Sequence, residues 1–493
     1  MRTAVRMVQE GSLEPGWYGS PASTLFALLS GAILVLQGAW HLLGDPGQSF
    51  WSAYHEDVTA LFVAGRVIVL FAAILTVWLT DRIMHRLGIG ITARLFAIAL
   101  VSFSPIYLAY ASIIRVDFIQ SAANLATVLF CLRYCQQDRP RFDIALAGAF
   151  LGIAVASKYL GLAAAAPIII AVGIRALQER TEIVTALSHV ALAALASAAA
   201  AFIVSPYLFL DFSQVLADVA FEARNKHLSA TSQGFLGTLG FYLSVLAAQT
   251  NWMSLLALLG CASLSQRKQA WPVLGFALTF LLAISLLSLR WERWLITLIP
   301  FLAILAGAGI NLLLRLWGER KPLHAAVLIL LCGGLTLHIV SGSTHAIARA
   351  ADNDTRAMAE QWMLDNAPRS SAVVLETYAP ALSGRDFQVV VAGNGKLESW
   401  ASHSHFDRPP GFFGFGLSAA FGGDASQFLK AANGAQIDYV ILSNWEDRYR
   451  TEGENAHADF YQEIRASLDP AASFRPNKHT LGPPVTIYRL QQP

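Results

Sequence analysis

SPIYLAYASIIRVD (residues 104–117) and GAFLGIAVASKYLGL (residues 148–162) are separated by one apolar span and one basic turn. The first stretch ends with Arg115 and Asp117, and the second places Lys158 where one apolar segment ends and the next begins. Charged groups at membrane depth are costly and usually mark a functional site. Because successive spans alternate in direction, the sequence predicts that these charges lie on one side of the bilayer and meet there.

The composition indicates a membrane protein with many spans. Of 493 residues, 55% are hydrophobic and only 14% are charged, whereas soluble domains carry about 25% charged residues. Apolar runs recur at about the 20-residue length that crosses a bilayer as a helix. The net charge is +2 without any basic tract, so nothing indicates a nucleic-acid partner. The four cysteines lie in or beside apolar segments, which predicts no disulfides in the polar C-terminal part.

Hydropathy predicts an α-helical polytopic membrane protein with about ten to eleven apolar segments. The block 236–264 is long enough for one span and an in-plane helix, with a break near residues 249–251. The other apolar segments are expected at residues 22–43, 60–80, 91–111, 117–134, 143–157, 158–176, 184–206, 270–289, 293–316 and 322–341.

The distribution of lysine and arginine over the loops predicts the orientation. One side holds 13 of these cations, and the other holds six. Short loops rich in Lys and Arg stay in the cytoplasm, so the side with 13 cations is predicted to be cytoplasmic. The remaining six run against this rule, which indicates a local role for them. They are Arg115, Lys158, Arg224, Lys226, Arg290 and Arg293.

The polar C-terminal part is predicted to be a separate soluble α/β domain outside the cytoplasm. We place the membrane domain at residues 1–345 and the soluble domain at residues 346–493. Short β-branched runs predict strands, and two polar segments predict helices. The run PPGFFGFG (409–416) is expected to be a loop with exposed aromatic residues. The strands are AVVLET, FQVVVA, IDYVILS and VTIYRL, and the helices are TRAMAEQWMLDNAP, ending near Pro368, and HADFYQEIRASL.

Three further stretches accompany the central block: GSLEPGWYGSP (11–21), GRVIVLFAAILTVWLTDRI (65–83) and LRWERWLITLIPFLAILAGAG (289–309). In this order they resemble the GT-C glycosyltransferases, specifically the protein-mannosyltransferase-like branch, glycosyltransferase family 39. The last stretch looks like the family's late Arg-Tyr segment, with Trp294 where tyrosine is usual. The likeness covers most of the chain, and it rests on the order of the motifs rather than on any single one.

The resemblance implies a glycosyltransferase (a hexosyl or pentosyl transferase) of the cell envelope. Such enzymes take a sugar from a polyprenyl-phosphate donor at the outer face of the membrane and transfer it with inversion. The acceptor is a lipid, a protein or a glycan. No nucleotide cofactor is implied; some relatives use a divalent metal ion, but the sequence shows no ligand set for one. The Ala-rich, Lys-poor composition favours a bacterial inner membrane, with the C-terminal domain in the periplasm.

The transfer needs a carboxylate that accepts the acceptor's proton, and cations that stabilise the leaving phosphate. Asp117 is the predicted catalytic base. A purely structural alternative is a carboxylate at a helix N-terminus, with Arg115 as its partner. Lys158 and Arg115 are predicted to bind phosphate or substrate, although a lysine at that place can also extend its amine to the lipid headgroups.

Arg290 and Arg293 are predicted to bind the lipid phosphate. If this segment is helical, they lie one turn apart and can point the same way. The alternative is an interfacial belt in which Trp291 and Trp294 anchor the segment and Glu292 neutralises it.

Two external loops hold further candidates. Glu56 and Asp57, next to His55, form an acidic cluster that a solvated loop explains more simply than a metal or acceptor site. Tyr207 and His227 lie in a long loop that the resemblance places beside the site, without assigning either residue a role.

The N-terminus departs from the family pattern. Relatives begin with a transmembrane helix and an external loop carrying an acidic pair, and neither precedes Gly11 here. We expect the natural start to lie upstream of Met1, with 22–43 in the outer interface; the alternative makes 22–43 the first span. Translation of the DNA upstream of Met1 would decide between these two alternatives.

Two rival functions remain: a non-catalytic relative in glycan assembly, and a secondary transporter. A transporter should show internal repeats, and none are seen in the sequence.

Overall fold

The computed structural model divides the chain into two compact units. The first comprises Met1, residues 3–43 and residues 59–346, and the second comprises Arg2, residues 44–58 and residues 347–493. Placement is described for all residues except 20, 57–58, 137–138, 181, 223–233, 251–253, 318–320, 352, 377, 381, 383–385, 394, 400–415, 453, 478–479 and 491–493.

From the N-terminus to residue 351 the described chain is helical, with short connections. Three 3-10 segments, Tyr159–Ala164, Lys268–Ala270 and Glu292–Thr297, interrupt the series. The α-helices are α1 (Arg2–Glu10), α2 (Ser23–Leu43), α3 (Phe50–Glu56), α4 (Thr59–Arg86), α5 (Ile91–Ser102), α6 (Pro105–Tyr110), α7 (Asp117–Cys135), α8 (Pro140–Ser157), α9 (Ala165–Glu179), α10 (Ile183–Val204), α11 (Tyr207–Leu210), α12 (Phe212–Glu222), α13 (Gly234–Thr250), α14 (Ser254–Ser265), α15 (Trp271–Leu286), α16 (Ile299–Trp317) and α17 (Lys321–Ala351).

The predicted polytopic helical fold is confirmed. Among the described residues, nine helices are long and apolar enough to cross a membrane: α2, α4, α7, α8, α9, α10, α15, α16 and α17. The pair α13 and α14 is bent by 108° at the break expected near residues 249–251, and it counts as a tenth span if taken as one. The helix α5 is apolar but shorter. The protein is therefore a multi-pass membrane protein.

The segment 91–111 differs from the single span that we expected. Helix α5 ends at Ser102, and α6 starts at Pro105 after Ser104 adopts extended backbone. Proline has no N–H to donate and disfavours helical backbone in the residue before it, which favours a break in the helix at this position. The break places the 104–117 stretch in short helical and irregular pieces at the end of the span.

Helix α7 lies at the centre of the first unit, as shown by the burial of 83% of the residues in its apolar stretch. It packs against α4, α8 and α9, and α8 in turn packs closely on α10. A Cβ atom at Gly148 would collide with the carbonyl of Ala193, and one at Gly152 with that of Ser197. Glycines allow helix backbones to approach this closely in membranes. The close packing of α8 fixes the position of the residues that follow it, beginning at Lys158.

The second unit contains a sheet with helices on both faces. The strands are β1 (Asn353–Asp354), β2 (Ala372–Leu375), β3 (Gln388–Gly393), β4 (Lys396–Ser399), β5 (Tyr439–Leu442), β6 (Asp469–Phe474), β7 (Thr480–Leu481) and β8 (Val485–Arg489). The helices are α18 (Thr355–Asn366), α19 (Leu417–Ala420), α20 (Ala425–Gly434), α21 (Trp445–Glu452) and α22 (Asn455–Ser467).

The main sheet has the strand order β4-β3-β2-β5-β8-β6, and β1 pairs with β7 separately. Strands β3, β2 and β5 are parallel, whereas β4, β8 and β6 are antiparallel to their neighbours. One face packs against α20 and α22 through Phe428 and Phe460, and the other against α18 through Met363. All four strands and both helices that the sequence predicted are present. The loop 409–416 lies outside the described residues except for Gly416.

Candidate active site

A buried ion pair joins the two charged stretches. Asp117 is the first residue of α7, and Lys158 lies in extended backbone between α8 and the 3-10 segment Tyr159–Ala164. The ammonium of Lys158 donates a hydrogen bond to Oδ1 of Asp117, and the two side chains are 11% and 5% exposed. The partner of Asp117 is therefore Lys158 and not Arg115, because α8 delivers the lysine directly to the start of α7.

Two guanidinium groups lie close to this pair. Arg115 is exposed and Arg293 is partly buried. Both repel the Lys158 ammonium, while the Asp117 carboxylate attracts Arg293. We call these four residues the Asp117 cluster: three cations and one carboxylate. Its excess of positive charge suits a phosphate group, which pairs well with several cations at once.

The 3-10 segment Glu292–Thr297 holds Arg293 in place. The carbonyl of Ile296 accepts hydrogen bonds from the hydroxyls of Tyr107 (3.0 Å) and Ser121 (3.5 Å), which fastens the segment to α6 and α7. The guanidinium of Arg293 lies over the ring of Trp291, 3.9 Å from its centroid. A cation held against an aromatic face keeps its N–H edge available for an anion.

The helical spacing considered for Arg290 and Arg293 is not present. Trp291 has extended backbone, so Arg290 precedes the helical segment and the two arginines are not one helical turn apart. Its Nε lies 3.4 Å from the hydroxyl of Thr238, and its guanidinium lies 5.5 Å from the ring centroid of Phe241. Arg290 therefore packs against α13.

The loop candidates are less informative. Tyr207 begins α11 and is partly buried. Glu56 is the last residue of α3, in the second unit, and its side chain is not described. Asp57 and His227 lie outside the described residues.

Sequence reasoning missed a set of hydrogen bonds that fixes the N-terminal segment beside Lys158. The backbone N–H of Tyr18 donates to Asp218 Oδ2 (2.8 Å), and the hydroxyl of Tyr159 donates to the carbonyl of Tyr18 (2.7 Å). The hydroxyls of Thr24 and Ser157 share a hydrogen bond of 2.7 Å. Adjacency to Lys158 in the stretch SKYLGL was the one signal that could have suggested Tyr159; nothing local links positions 18 and 218.

The ring of Tyr18 is fully buried, and its hydroxyl has no hydrogen-bond partner within the described part of the chain. Burial, together with nearby acidic groups such as Glu14 and Asp211, raises the pKa of Tyr18 to about 12. Its hydroxyl therefore stays protonated at neutral pH. A buried donor without a partner is costly, so a ligand with an acceptor oxygen would satisfy it.

Within the described residues, no group of three or more His, Cys, Asp or Glu side chains is arranged to hold a metal ion. The Asp117 cluster offers a single carboxylate beside three cations, and a cationic metal ion would be repelled there. The Asp117 cluster therefore combines an excess of positive charge with one carboxylate.

The chain was also compared with known proteins. Residues 31–221 match the sequence profile of the family described as dolichyl-phosphate-mannose-protein mannosyltransferase. No curated protein matches the sequence.

Two solved structures are similar to the whole fold. One is ArnT from Cupriavidus metallidurans bound to undecaprenyl phosphate, with a TM-score of 0.53 and 12% identity, covering 99% of this chain and 92% of that one. The other is the apo oligosaccharyltransferase of Archaeoglobus fulgidus, with a TM-score of 0.54 and 12% identity, covering 92% of this chain and 66% of that one. The resemblance to GT-C glycosyltransferases that the sequence predicted is confirmed.

Proposed function

We propose that this GT-C-type membrane protein transfers a monosaccharide from a polyprenyl-phosphate donor to a hydroxyl acceptor. The observation that carries the proposal is the buried Asp117–Lys158 ion pair with Arg115 and Arg293 beside it. The similar ArnT structure contains undecaprenyl phosphate, and the description of the matching family names a dolichyl-phosphate sugar. Both support a lipid phosphate as the group that the three cations bind.

In the proposed reaction, the acceptor oxygen attacks the anomeric carbon from the face opposite the phosphate. The new C–O bond forms as the bond from that carbon to the phosphate oxygen breaks, so the configuration is inverted. The acceptor's proton passes to the Asp117 carboxylate. The donor phosphate carries one negative charge as a diester and two after release, and Arg115 and Arg293 stabilise the additional charge.

Lys158 has two successive partners in this scheme. Without substrate it keeps the Asp117 carboxylate charged and oriented, as the hydrogen bond between them indicates. When a lipid phosphate arrives, the ammonium has a second anion within reach. A shift of Lys158 toward the phosphate leaves Asp117 free to accept a proton, so donor binding and base activation occur together.

The proposed membrane is the bacterial cytoplasmic membrane, with the site and residues 346–493 on its outer face. The excess of cations on the opposite loops, 13 against six, supports this orientation. A reporter active only in the cytoplasm and fused after Ala348 should stay silent. Activity of this reporter would place the site on the cytoplasmic face and overturn the outer-face donor.

One observation favours a second candidate, a non-catalytic relative that binds lipid phosphate in glycan assembly. Lys158 already satisfies Asp117, as in a purely structural ion pair. Binding and transfer therefore need separate measurements.

The test uses the full chain in lipid nanodiscs with a panel of polyprenyl-phosphate hexoses and pentoses, and membrane extract as acceptor. Release of polyprenyl phosphate measures transfer, and native mass spectrometry with undecaprenyl phosphate measures binding. The Arg315→Ala variant, altered at the predicted cytoplasmic end of α16, is the matched control. Binding without transfer of any sugar would favour the non-catalytic relative, and the absence of both would exclude a lipid-phosphate site.

A further inference from the structure

The parallel strands of the second unit contain a topological switch point that the proposed sugar transfer does not use. Strand β2 lies between β3 and β5, so the chain leaves β2 on one side of the sheet and later returns on the other. Ligands of open α/β sheets bind at such a switch point, outside the carboxyl ends of the strands. Here β2 ends at Leu375 and β5 at Leu442, and α21 begins three residues after β5.

Arg448 lies on α21, close to the carboxyl ends of β2 and β5, and two of its donor atoms lack an acceptor within the described chain. Its guanidinium lies 4.3 Å from the ring centroid of Trp445 and 5.1 Å from that of Tyr378. Its Nε and Nη1 atoms are shielded from solvent and have no hydrogen-bond partner among the residues that the structure describes. An arginine buried this way needs an acceptor, and the planar fork of donors matches a carboxylate or a phosphate.

The other arginine of α21 shows the usual arrangement. Arg450 donates to the carboxylate of Glu446 at 3.1 Å, and Glu446 also pairs with Arg465 at 2.9 Å. The buried carboxylate nearest in sequence to Tyr378 is that of Glu376, which accepts hydrogen bonds from neighbouring backbone and hydroxyl groups. No described carboxylate accepts a hydrogen bond from Nε or Nη1 of Arg448, although Glu446 and Asp447 lie on the same helix.

Tyr378 supplies an exposed ring at the same place. Its backbone has a φ of 71°, a left-handed conformation that is strained for a bulky residue. Its ring stacks on that of Trp445 with centroids 6.0 Å apart and planes 24° apart, yet the residue is 44% exposed. Such strain is typical of binding sites, where a side chain is held in a required direction.

We propose that Arg448, Tyr378 and Trp445 form a binding site for an acidic saccharide. The apolar face of a sugar ring packs on the exposed ring of Tyr378, and a carboxylate or phosphate on the sugar pairs with the guanidinium of Arg448. Trp445 packs against the ring of Tyr378 and the guanidinium of Arg448, and it holds these two side chains in one orientation. This site belongs to the second unit alone, so it does not depend on catalysis at the Asp117 cluster.

The binding test uses the full chain in nanodiscs and follows tryptophan fluorescence during titration. The probes are cellobiouronic acid, glucose 6-phosphate, neutral cellobiose, inorganic phosphate and a hexaglutamate peptide. One of the two acidic sugars should bind at least tenfold more tightly than both cellobiose and inorganic phosphate. Tighter binding of cellobiouronic acid would identify the acidic group as a uronate, and tighter binding of glucose 6-phosphate would identify it as a sugar phosphate. Equal affinity for cellobiose, equal affinity for phosphate, or tighter binding of the peptide would each overturn the proposal.

Variants separate binding from folding. Arg448→Gln should weaken the binding of the acidic sugar about tenfold or more, and Arg448→Lys should weaken it less. The control Arg450→Gln should leave the affinity unchanged. Tyr378→Gly removes the ring but also relieves the positive φ, so it should lose affinity without a lower melting temperature. Equal loss from Arg448→Gln and Arg450→Gln would refute a specific role for Arg448. Full affinity in Tyr378→Gly would refute the packing of sugar on the ring.

Discussion

Two buried carboxylates in the two units are held in opposite ways. Asp117 in the first unit is paired with the ammonium of Lys158, with two guanidinium groups nearby. Glu376 in the second unit accepts hydrogen bonds from neutral donors: the backbone N–H groups of Leu417 and Ser443 and the hydroxyls of Ser443 and Tyr461. Cationic partners suit a group that works as an anion, whereas neutral donors suit one that joins segments of chain.

The donors around Glu376 come from three parts of the second unit, namely the start of α19, the end of β5 and the helix α22. Burial raises the pKa of Glu376, and its hydrogen bonds only partly offset this effect. Glu376 therefore holds these three segments of the chain together. We therefore expect changes at Asp117 to affect chemistry, and changes at Glu376 to affect stability.

The largest expected effect is the loss of transfer in Asp117→Asn. The amide keeps the shape of the side chain but cannot accept the acceptor's proton, so the rate should fall about 10²- to 10⁴-fold. Donor consumption in nanodiscs measures this. The control is Asp143→Asn, which alters another fully buried carboxylate, paired with Arg133 at 3.0 Å. A normal rate in Asp117→Asn would make Asp117 structural, like Glu376.

Arg293→Ala should reduce transfer by about 10²-fold, because it removes a cation from the leaving phosphate. Arg290→Ala should cost less, since that side chain packs against Thr238 and Phe241. Arg315→Ala serves as the control at the other end of the membrane. If Arg293→Ala and Arg315→Ala lose activity equally, the phosphate does not bind at the Asp117 cluster.

Lys158→Met tests the ion pair through stability. It leaves the Asp117 carboxylate buried without its partner, which should destabilise the folded protein by about 3–5 kcal/mol. The double variant Asp117→Asn/Lys158→Met removes both charges and should recover most of this loss, as thermal unfolding in detergent can measure. A double variant no more stable than Lys158→Met would mean that the pair contributes through packing rather than charge.

The smallest expected effect is a pH dependence at Glu376. Because its pKa is raised in the folded state, that state binds the proton more tightly than the unfolded state does. Stability is therefore lost as the pH rises from the ordinary value of 4.5 through the folded pKa. After correction for the intrinsic, base-catalysed rate of amide exchange, hydrogen exchange at the amides of Leu417 and Ser443 should accelerate over this interval, by up to roughly tenfold for each pH unit that it spans. Glu376→Gln should abolish this dependence, and Asp117→Asn should not alter it.

The sequence alone predicted much of the local structure of both units, although it did not predict strands β1, β4, β6 and β7 or helices α19, α20 and α21. Runs of apolar residues predicted the spans and the break near residues 249–251, because the length and continuity of such runs are local properties. The strands and helices of the C-terminal part followed from short β-branched runs and helical periodicity. The segment 91–111, predicted as one span, was interrupted by Pro105, whose effect on helices is also visible in the sequence. The span predicted at 293–316 also began too early, because Glu292–Thr297 is a 3-10 segment and α16 starts at Ile299.

What only the tertiary structure decided is which distant side chains meet. Alternation of the spans placed Asp117 and Lys158 at one end of the membrane unit, but the close packing of α8 and α7 made Lys158, rather than Arg115, the partner. The hydrogen bond from Tyr18 to Asp218, 200 residues apart, and the strand order around Arg448 have no local signature. Hydrophobic pattern depends on neighbours along the chain, whereas a site depends on contacts between segments that only packing brings together.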